Sequence, residues 1–221
     1  MDESTAKPHR LQVTGASAGY AGRLIIEDNH LTVRAGDCMG LLGANGSGKS
    51  TLLRAITGQI KLAAGEVAID GIDLRRHPEA AKRGFAYAVD GASLPQTLTG
   101  AEYLEFVASI RGCNPRQWPY GDVIGPLGLQ SWLGEQLGAC SLGTQMKFSI
   151  AAALLDTPKL VILDESLNGL DPIAAWQAKR IIADIVSTGR HAVVVATHVL
   201  ETVTSLCNRA VFMEAGQLTH C

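Results

Sequence analysis

The sequence predicts an α/β protein with a largely parallel central sheet and helices on both sheet faces. Strand-length apolar runs occur at residues 37–42, 85–89, 160–164, 192–197 and 209–213. Helical patterns separate these runs, and alternation of strand and helix is typical of a parallel sheet. Hydrophobic residues make up 47% of the 221 residues and charged residues 18%, which indicates a chain that buries a substantial core.

Two further segments complete the predicted organisation. Residues 11–14, 24–26 and 31–33 have the pattern of short strands separated by turns, which predicts an antiparallel layer flanking the core. Residues 93–155 carry apolar positions such as Tyr103 at helical spacing and contain no convincing strand. This segment therefore predicts an inserted helical subdomain.

The length favours one domain over residues 1–221 rather than two independent ones. We expect its core to comprise residues 11–92 and 156–221. The helical subdomain then spans about residues 93–155.

Charge and hydropathy exclude several classes of protein. The net charge of −2 gives no general attraction to nucleic acid or to an anionic membrane, so we expect no nucleic-acid partner. No apolar run approaches the ~20 residues needed to span a bilayer, and residues 1–10 lack the apolar segment of a secretory signal. These features favour a cytoplasmic chain. Its five cysteines show no metal-ligand spacing, which predicts reduced thiols.

A glycine-rich segment, here called the phosphate loop, follows the first core strand. It reads Gly43, Ala44, Asn45, Gly46, Ser47, Gly48, Lys49, Ser50, and Thr51 begins the helical run after it. This fits G-x-x-x-x-G-K-[ST], in which backbone N–H groups and a helix dipole hold phosphate oxygens. We expect Lys49 to reach the β- and γ-phosphates of a nucleotide and Ser50 to bind Mg²⁺. The alternative is a simple strand-to-helix turn with Lys49 solvated.

The apolar strand at residues 160–164 ends in two carboxylates, Asp164 and Glu165. The carboxyl edge of a parallel sheet is where such proteins bind ligands, and successive strand residues point to opposite faces. We therefore expect different roles, with Asp164 as a Mg²⁺ ligand and Glu165 as the base that polarises the attacking water. The alternative is a polar strand end that caps the next turn.

Residues 140–147, here called the signature segment, read Cys-Ser-Leu-Gly-Thr-Gln-Met-Lys. Together with the phosphate loop and the acidic pair, this segment resembles the ABC ATPase family, and the resemblance covers about residues 11–218. It implies a P-loop NTPase core of the RecA-like type, with the antiparallel layer and the helical subdomain attached.

The resemblance also implies a role for the signature segment. Ser141, Gly143 and Thr144 would face the γ-phosphate of an ATP bound to a second, antiparallel subunit. The segment would lie just before a helix over residues 148–155. A plain helix cap at Ser141 is the alternative, and both interpretations can hold together.

Three more residues take roles from the resemblance. Residues 166–172, here called the interface loop, resemble the segment that joins the two nucleotide sites of the family's dimer, and Asp171 is its matching acid. A helix cap at Asp171, before Pro172, is the alternative. His198 occupies the place of the switch histidine, which contacts the γ-phosphate and orients Glu165. Tyr20 occupies the place of the aromatic residue that stacks on adenine, with core packing as its alternative.

The sequence departs from the family pattern at three positions. Asp90 stands where the family commonly has Gln, and we expect it to bind the cation through water. Thr144 replaces the usual Gln or Met, and Ser166 replaces the usual Pro. These changes predict a slower cycle rather than lost chemistry.

The resemblance implies an ATPase with ATP and Mg²⁺ as cofactors. Two identical chains would enclose two ATP molecules and power transport, in the export direction, through a separate transmembrane permease that holds the chain at the cytoplasmic face of the membrane. Two alternatives stay open: a soluble ABC ATPase that acts on ribosomes or nucleic acid, and a nucleotide-sensing regulatory subunit with little turnover.

Overall fold

The strands form two sheets in this computed structural model, which describes residues 7–114, 123–156 and 158–220. In chain order the strands are β1 (His9–Tyr20), β2 (Arg23–Arg34), β3 (Cys38–Leu42), β4 (Leu62–Ile69), β5 (Ile72–Asp73), β6 (Phe85–Ala88), β7 (Leu160–Asp164), β8 (Ala192–Thr197), β9 (Arg209–Glu214) and β10 (Gln217–His220). The helices are α1 (Lys49–Ile56), α2 (Pro78–Arg83), α3 (Gly100–Arg111), α4 (Leu142–Ala153), α5 (Pro172–Ser187) and α6 (Leu200–Leu206).

The larger sheet is the core that the sequence predicts. Its order is β10-β9-β3-β8-β7-β6, and all neighbouring strands are parallel except β9 and β10. Along β7, Leu160 and Ile162 belong to one hydrophobic cluster, whereas Val161 and Leu163 belong to the other. Because both faces are buried, these strands are continuous apolar runs. The five predicted core strands and the α/β fold class are confirmed.

The antiparallel layer is a sheet in the order β2-β1-β4-β5. The prediction of separate short strands at residues 24–26 and 31–33 is wrong, because both segments belong to the 12-residue strand β2. Ala21 and Gly22 join β1 to β2 with φ of 49° and 80°, the left-handed values that a two-residue hairpin turn needs. Bulges after Val13 shift the β1–β2 register and break the period-two pattern, so the sequence shows only fragments of each strand.

The described part of residues 93–155 contains α3, α4 and short 3₁₀ turns, and no strand. Residues 115–122 of the predicted subdomain lie outside the described residues, and the predicted subdomain bounds stay a prediction. The expected helix over residues 148–155 is wrong at its start, because α4 begins at Leu142. Ser141 caps it there, since its hydroxyl accepts from the Thr144 N–H at 3.2 Å. None of the described helices has the length and apolar character needed to cross a membrane.

Candidate active site

The phosphate loop connects β3 to α1 at the carboxyl edge of the core sheet. Its turn requires glycine: φ is 80° at Gly46 and 112° at Gly48, and a Cβ at Gly43 would lie 2.4 Å from the Met213 carbonyl oxygen. Lys49 begins α1, and its ammonium turns back to donate to the carbonyls of Gly43 at 2.7 Å and Ala44 at 3.1 Å. The phosphate loop therefore surrounds the positively charged side chain of Lys49, which is buried.

Glu165 follows β7 directly and brings a carboxylate to the phosphate loop. Its Oε1 lies 3.4 Å from the Lys49 ammonium, and its Oε2 lies 3.1 Å from His198 Nδ1. His198 comes from the end of β8, which lies between β3 and β7. The sheet order thus assembles Lys49, Glu165 and His198 from three strand ends that are distant in sequence.

Glu165 also has an unusual backbone. Its φ is 54°, a left-handed value that is costly for a residue with a side chain. A hydrogen bond from its N–H to the Ala196 carbonyl, at 3.0 Å, fixes this conformation against β8. The contact with β8, rather than the usual backbone conformation of glutamate, therefore sets the direction of the carboxylate.

Asp164 lies between two hydroxyl groups. Ser50 Oγ donates to its Oδ1 at 3.3 Å, and the Tyr87 hydroxyl donates to its Oδ2 at 2.9 Å. Burial raises the pKa of the Asp164 carboxyl, while the bonds from Tyr87 and Ser50 act to lower it. Burial and the neighbouring Asp164 likewise raise the pKa of Tyr87. The site therefore holds a carboxylate that is partly desolvated and hydrogen-bonded.

Tyr87 is not among the site residues that the sequence motifs predict. It pairs with Ile162 across β6 and β7, and Ile162 lies two residues before Asp164. Side chains two apart on a strand share a face, so this register alone directs Tyr87 to the side of the sheet that carries Asp164. The pairing is the signal that would have found it.

Tyr20, at the end of β1, lies beside the phosphate loop. Together with loop residues it lines a cavity of about 320 Å³, formed by Tyr20, Ile25, Asn45, Gly46, Gly48, Lys49, Ser50, Thr51 and Glu165. Tyr20 is 42% exposed, and its hydroxyl accepts from Arg54 at 3.2 Å. The alternative of core packing for Tyr20 is therefore wrong.

The signature residues lie outside this cavity, at the start of α4. Ser141 Oγ lies 2.9 Å from the Thr144 hydroxyl, in addition to capping the helix. A Cβ at Gly143 would lie 2.9 Å from the Gly169 carbonyl oxygen, so the signature segment packs closely on the interface loop. The alternative of a cap at Ser141 is confirmed, and it leaves the proposed role toward a second chain untouched.

The two remaining predicted acids both cap helical turns. Asp171 accepts from the Ala174 N–H at 2.9 Å at the start of α5 and pairs with Lys147. Asp90 accepts from the Ala92 N–H at 3.2 Å in a 3₁₀ turn, is exposed, and is not among the residues that line the cavity. The role of Asp90 at a cation stays a prediction.

Comparison with known proteins places these features in one family. The sequence pattern of the family described as ABC transporter matches residues 26–168, from β2 through the phosphate loop to the acidic pair and Asn168. The chain belongs to the ABC transporter family. The resemblance seen in the sequence is thereby confirmed.

Relatives and solved structures agree with the assignment to the ABC transporter family. The chain is 33% identical to the uncharacterized ABC transporter ATP-binding protein YdbJ of Bacillus subtilis, over 94% of this chain and 67% of YdbJ. It is also 33% identical to the lipopolysaccharide export system ATP-binding protein LptB of Haemophilus influenzae, over 94% and 88%. Against human phospholipid-transporting ATPase ABCA7 it is 31% identical but spans only 11% of that protein. A solved ATP-binding subunit of an ABC transporter superimposes with a TM-score of 0.86 at 29% identity, over 95% of this chain and 89% of that one.

Members of this ABC family bind and hydrolyse ATP, and the residues present fit that nucleotide and Mg²⁺. Ser47 Oγ is a buried polar atom of the phosphate loop without a hydrogen-bond partner among the described residues, as expected of a group that awaits a ligand. Ser50 and Asp164 supply hydroxyl and carboxylate oxygens at adjacent positions, which is the chemistry that Mg²⁺ prefers. Among the described residues, no three or more His, Cys, Asp or Glu side chains cluster in a way that suits a metal.

Proposed function

We propose that this chain is the ATP-hydrolysing subunit of an ABC exporter and that it drives transport through a separate membrane permease. The observation that carries the proposal is the position of Glu165, whose two carboxylate oxygens contact the Lys49 ammonium and the His198 imidazole. A base, a phosphate-binding cation and a switch histidine thereby meet at the phosphate loop. This combination suits hydrolysis better than binding alone.

Each residue has a distinct task in the proposed reaction. Lys49 would exchange its bonds to the Gly43 and Ala44 carbonyls for oxygens of the β- and γ-phosphates. Ser50 and Asp164 would hold Mg²⁺, which supplies neutralisation of the developing phosphate charge. The exposed ring of Tyr20 would stack on adenine.

Glu165 and His198 would handle the attacking water. The Glu165 carboxylate would orient the water and accept its proton as the bond to phosphorus forms. His198 would hold Glu165 through Nδ1 and present the rest of its ring to the γ-phosphate. Charge stabilisation by Lys49 and the loop N–H groups completes the site.

We further propose that two identical chains form the working unit. Ser141 and Gly143 begin α4, so the Ser141 hydroxyl and the Gly143 N–H lie at the positive end of its dipole, which suits a phosphate brought by the second chain. Asp171 and the interface loop would lie between the two sites. Asp90 would reach the cation through water after leaving its cap on Ala92.

Coupling to a permease is supported by the surface of the helical subdomain. On α3, Phe106 and Ile110 are four residues apart on one face, and their side chains are 52% and 70% exposed. An apolar pair on a helix surface suits a protein contact. The name of the relative LptB refers to an export system, which supports the proposed direction, and the permease would hold the chain at the cytoplasmic face of the membrane.

The catalytic part of the proposal is tested with Glu165→Gln. We expect this variant to lose Mg²⁺-dependent ATP hydrolysis by at least about 100-fold while it still binds ATP, because the amide cannot accept the water's proton. Glu79→Gln, an exposed substitution in α2, is the matched control and should hydrolyse ATP at the wild-type rate. An unchanged rate in Glu165→Gln would refute the catalytic assignment.

The transport part is tested separately. Tagged Glu165→Gln protein is isolated from detergent-solubilised native membranes in the presence of Mg-ATP, and copurifying proteins are identified by mass spectrometry. A stoichiometric polytopic membrane protein is the expected result. Recovery from the soluble fraction with ribosomes or nucleic acid would replace the transporter by a soluble ABC ATPase.

A further inference from the structure

A chain of hydrogen bonds runs from the end of β8 to the Glu165 carboxylate through Asn168, a residue of the interface loop with no role assigned so far. The Val199 N–H donates to Thr197 Oγ1 at 3.0 Å. The Thr197 hydroxyl lies 3.3 Å from Asn168 Oδ1, and Asn168 Nδ2 donates to Glu165 Oε2. The last bond reaches the same carboxylate oxygen that contacts His198.

The direction of each bond in this chain follows from the groups themselves. A carboxylate only accepts, so Asn168 must present its NH₂ group to Glu165 and its carbonyl oxygen to Thr197. The Thr197 hydroxyl already accepts from Val199, which leaves its proton free to donate to that carbonyl. Asn168 and Thr197 therefore each have one orientation that satisfies all the bonds. The flipped orientation of the Asn168 amide does not satisfy them.

The chain is anchored on a rigid element. Thr197 is 1% exposed and pairs with Leu42 of β3, immediately before the phosphate loop. The backbone of Asn168 is fixed as well, because its N–H donates to the Glu165 carbonyl at 3.0 Å. Glu165 itself is 29% exposed at its side chain, and its Oε2 contacts both Asn168 and the half-exposed His198.

We infer that Asn168 is a positioning residue for ATP hydrolysis: it holds Oε2 of Glu165 against His198 and thereby directs Oε1 toward the phosphate loop. The inference rests on the function proposed above. Oε1 is the oxygen 3.4 Å from Lys49, so it faces the place where the γ-phosphate and the attacking water would lie. Fixing one carboxylate oxygen selects which oxygen accepts the proton.

The kinetic test compares Asn168→Ala with Thr197→Val in the full chain. Both substitutions break the same chain of bonds, so each should lower kcat for ATP by about 10- to 100-fold and leave KM within about twofold, since a misplaced base impairs chemistry and not binding. Thr197→Ser keeps the hydroxyl and should restore kcat to within about threefold of wild type. The double variant should be no slower than the slower single variant.

A control and the contrary outcomes make this test specific. Thr204→Val removes an exposed hydroxyl whose bonds to described residues lie within α6, and it should leave kcat unchanged. Because Thr197 is buried, it cannot act by contacting a second chain, whereas Asn168 on the interface loop could. Losses that multiply in the double variant, or a raised KM with unchanged kcat, would show that Asn168 acts elsewhere and would overturn the inference.

A second measurement is independent of turnover. In a ¹⁵N-resolved NMR spectrum of the full chain, the side-chain amide signals of Asn168 should move in Thr197→Val and in Glu165→Ala but not in Thr204→Val. If Asn168 signals ignore Thr197→Val, the bond chain does not exist in solution and the inference fails. Wild-type protein that hydrolyses no ATP would count against the proposed function instead, and the NMR result would still decide the role of Asn168.

Discussion

The Lys147 ammonium lies 2.6 Å from the Asp171 carboxylate and joins the signature helix α4 to the interface loop within one chain. Lys147 is largely buried, whereas the Asp171 side chain is half exposed. The same carboxylate caps α5. The signature segment, which would meet a second chain, is therefore connected to Glu165 through the Lys147–Asp171 ion pair and residues 166–170.

Substituting Lys147 and Asp171 one at a time should separate the stabilisation by their ion pair from the stabilisation by the helix cap at Asp171. Lys147→Met keeps the largely buried stem and loses the ion pair, so it should lower the free energy of unfolding by about 0.2–1 kcal/mol. Asp171→Ala loses the helix cap as well and should cost about 1 kcal/mol more. Urea denaturation measures both, and equal losses in the two variants would contradict the capping role.

The pH dependence of this pair has a definite sign. The hydrogen bond from Lys147, and then the one from Ala174, lower the pKa of Asp171 below its ordinary value of 3.8. Its contribution to stability is therefore complete above pH 3.8 and is lost as the pH falls below that value. The stability difference between wild type and Lys147→Met, which lacks only the charge, should disappear in the same range.

Asp164→Asn should stabilise the protein in the absence of nucleotide while it abolishes stabilisation by Mg-ATP. Burial raises the pKa of this carboxyl, so at neutral pH the folded chain bears the cost of a desolvated charge. We expect Tm to rise by roughly 2–4 °C, the shift that about 1 kcal/mol gives in a chain of this size. Scanning calorimetry with and without Mg-ATP measures both effects.

The stabilising effect of Asp164→Asn should fade in acid. As the pH falls through the raised pKa of Asp164, the wild-type carboxyl takes up a proton and its cost vanishes. The advantage of Asp164→Asn should therefore shrink at low pH. An advantage that is constant with pH would show that desolvation of the charge is not its cause.

Glu165→Gly should be more stable than Glu165→Ala by about 1 kcal/mol, although neither should hydrolyse ATP. The φ of 54° at this position is costly for any residue with a Cβ and free of cost for glycine. The same pair at Glu105, in the middle of α3, should show the opposite order, because alanine is the better helix former by about 1 kcal/mol. Alanine favoured at both positions would refute the backbone strain.

Gly100→Ala should destabilise the helical subdomain by about 1–3 kcal/mol, the usual cost of overpacking a core. A Cβ at this position would fall 2.1 Å from the ring of Phe148, a fully buried residue of α4. Phe148→Leu in the same chain should recover part of the loss. Gly134→Ala meets no atom within 4 Å and is the control expected to change the free energy of unfolding little.

The sequence predicts the core sheet well because its strands are buried on both faces. A run such as residues 192–197 can be recognised by hydropathy alone, and every residue of β8 is buried. In β4, by contrast, only Val67 and Ile69 are buried, and the register with β1 shifts at Gly65, whose φ is 84°. The position of such a half-exposed strand depends on its pairing with β1. The local periodicity of the sequence carries no information about that pairing.

Some residues of the candidate site can likewise be recognised from the sequence, and others cannot. Lys49, Asp164 and Glu165 are recognisable because each lies in a local motif at a strand end. Tyr87 and Asn168 are not, because their contacts arise from strand register and from a loop that turns back three residues. The start of α4 was misplaced for a similar reason: Ser141 acts at once as a helix cap and as a signature residue.

The order of the core sheet has a consequence for how the chain is made. β8 lies between β3 and β7, so the two strands that precede Lys49 and Glu165 share no neighbour until β8 has emerged from the ribosome. Pairing over more than 140 residues must then close in one late step, which is slow relative to local folding. A nascent chain that lacks β8 has no complete nucleotide site, so we expect ATP to assist its folding only after β8 has been added.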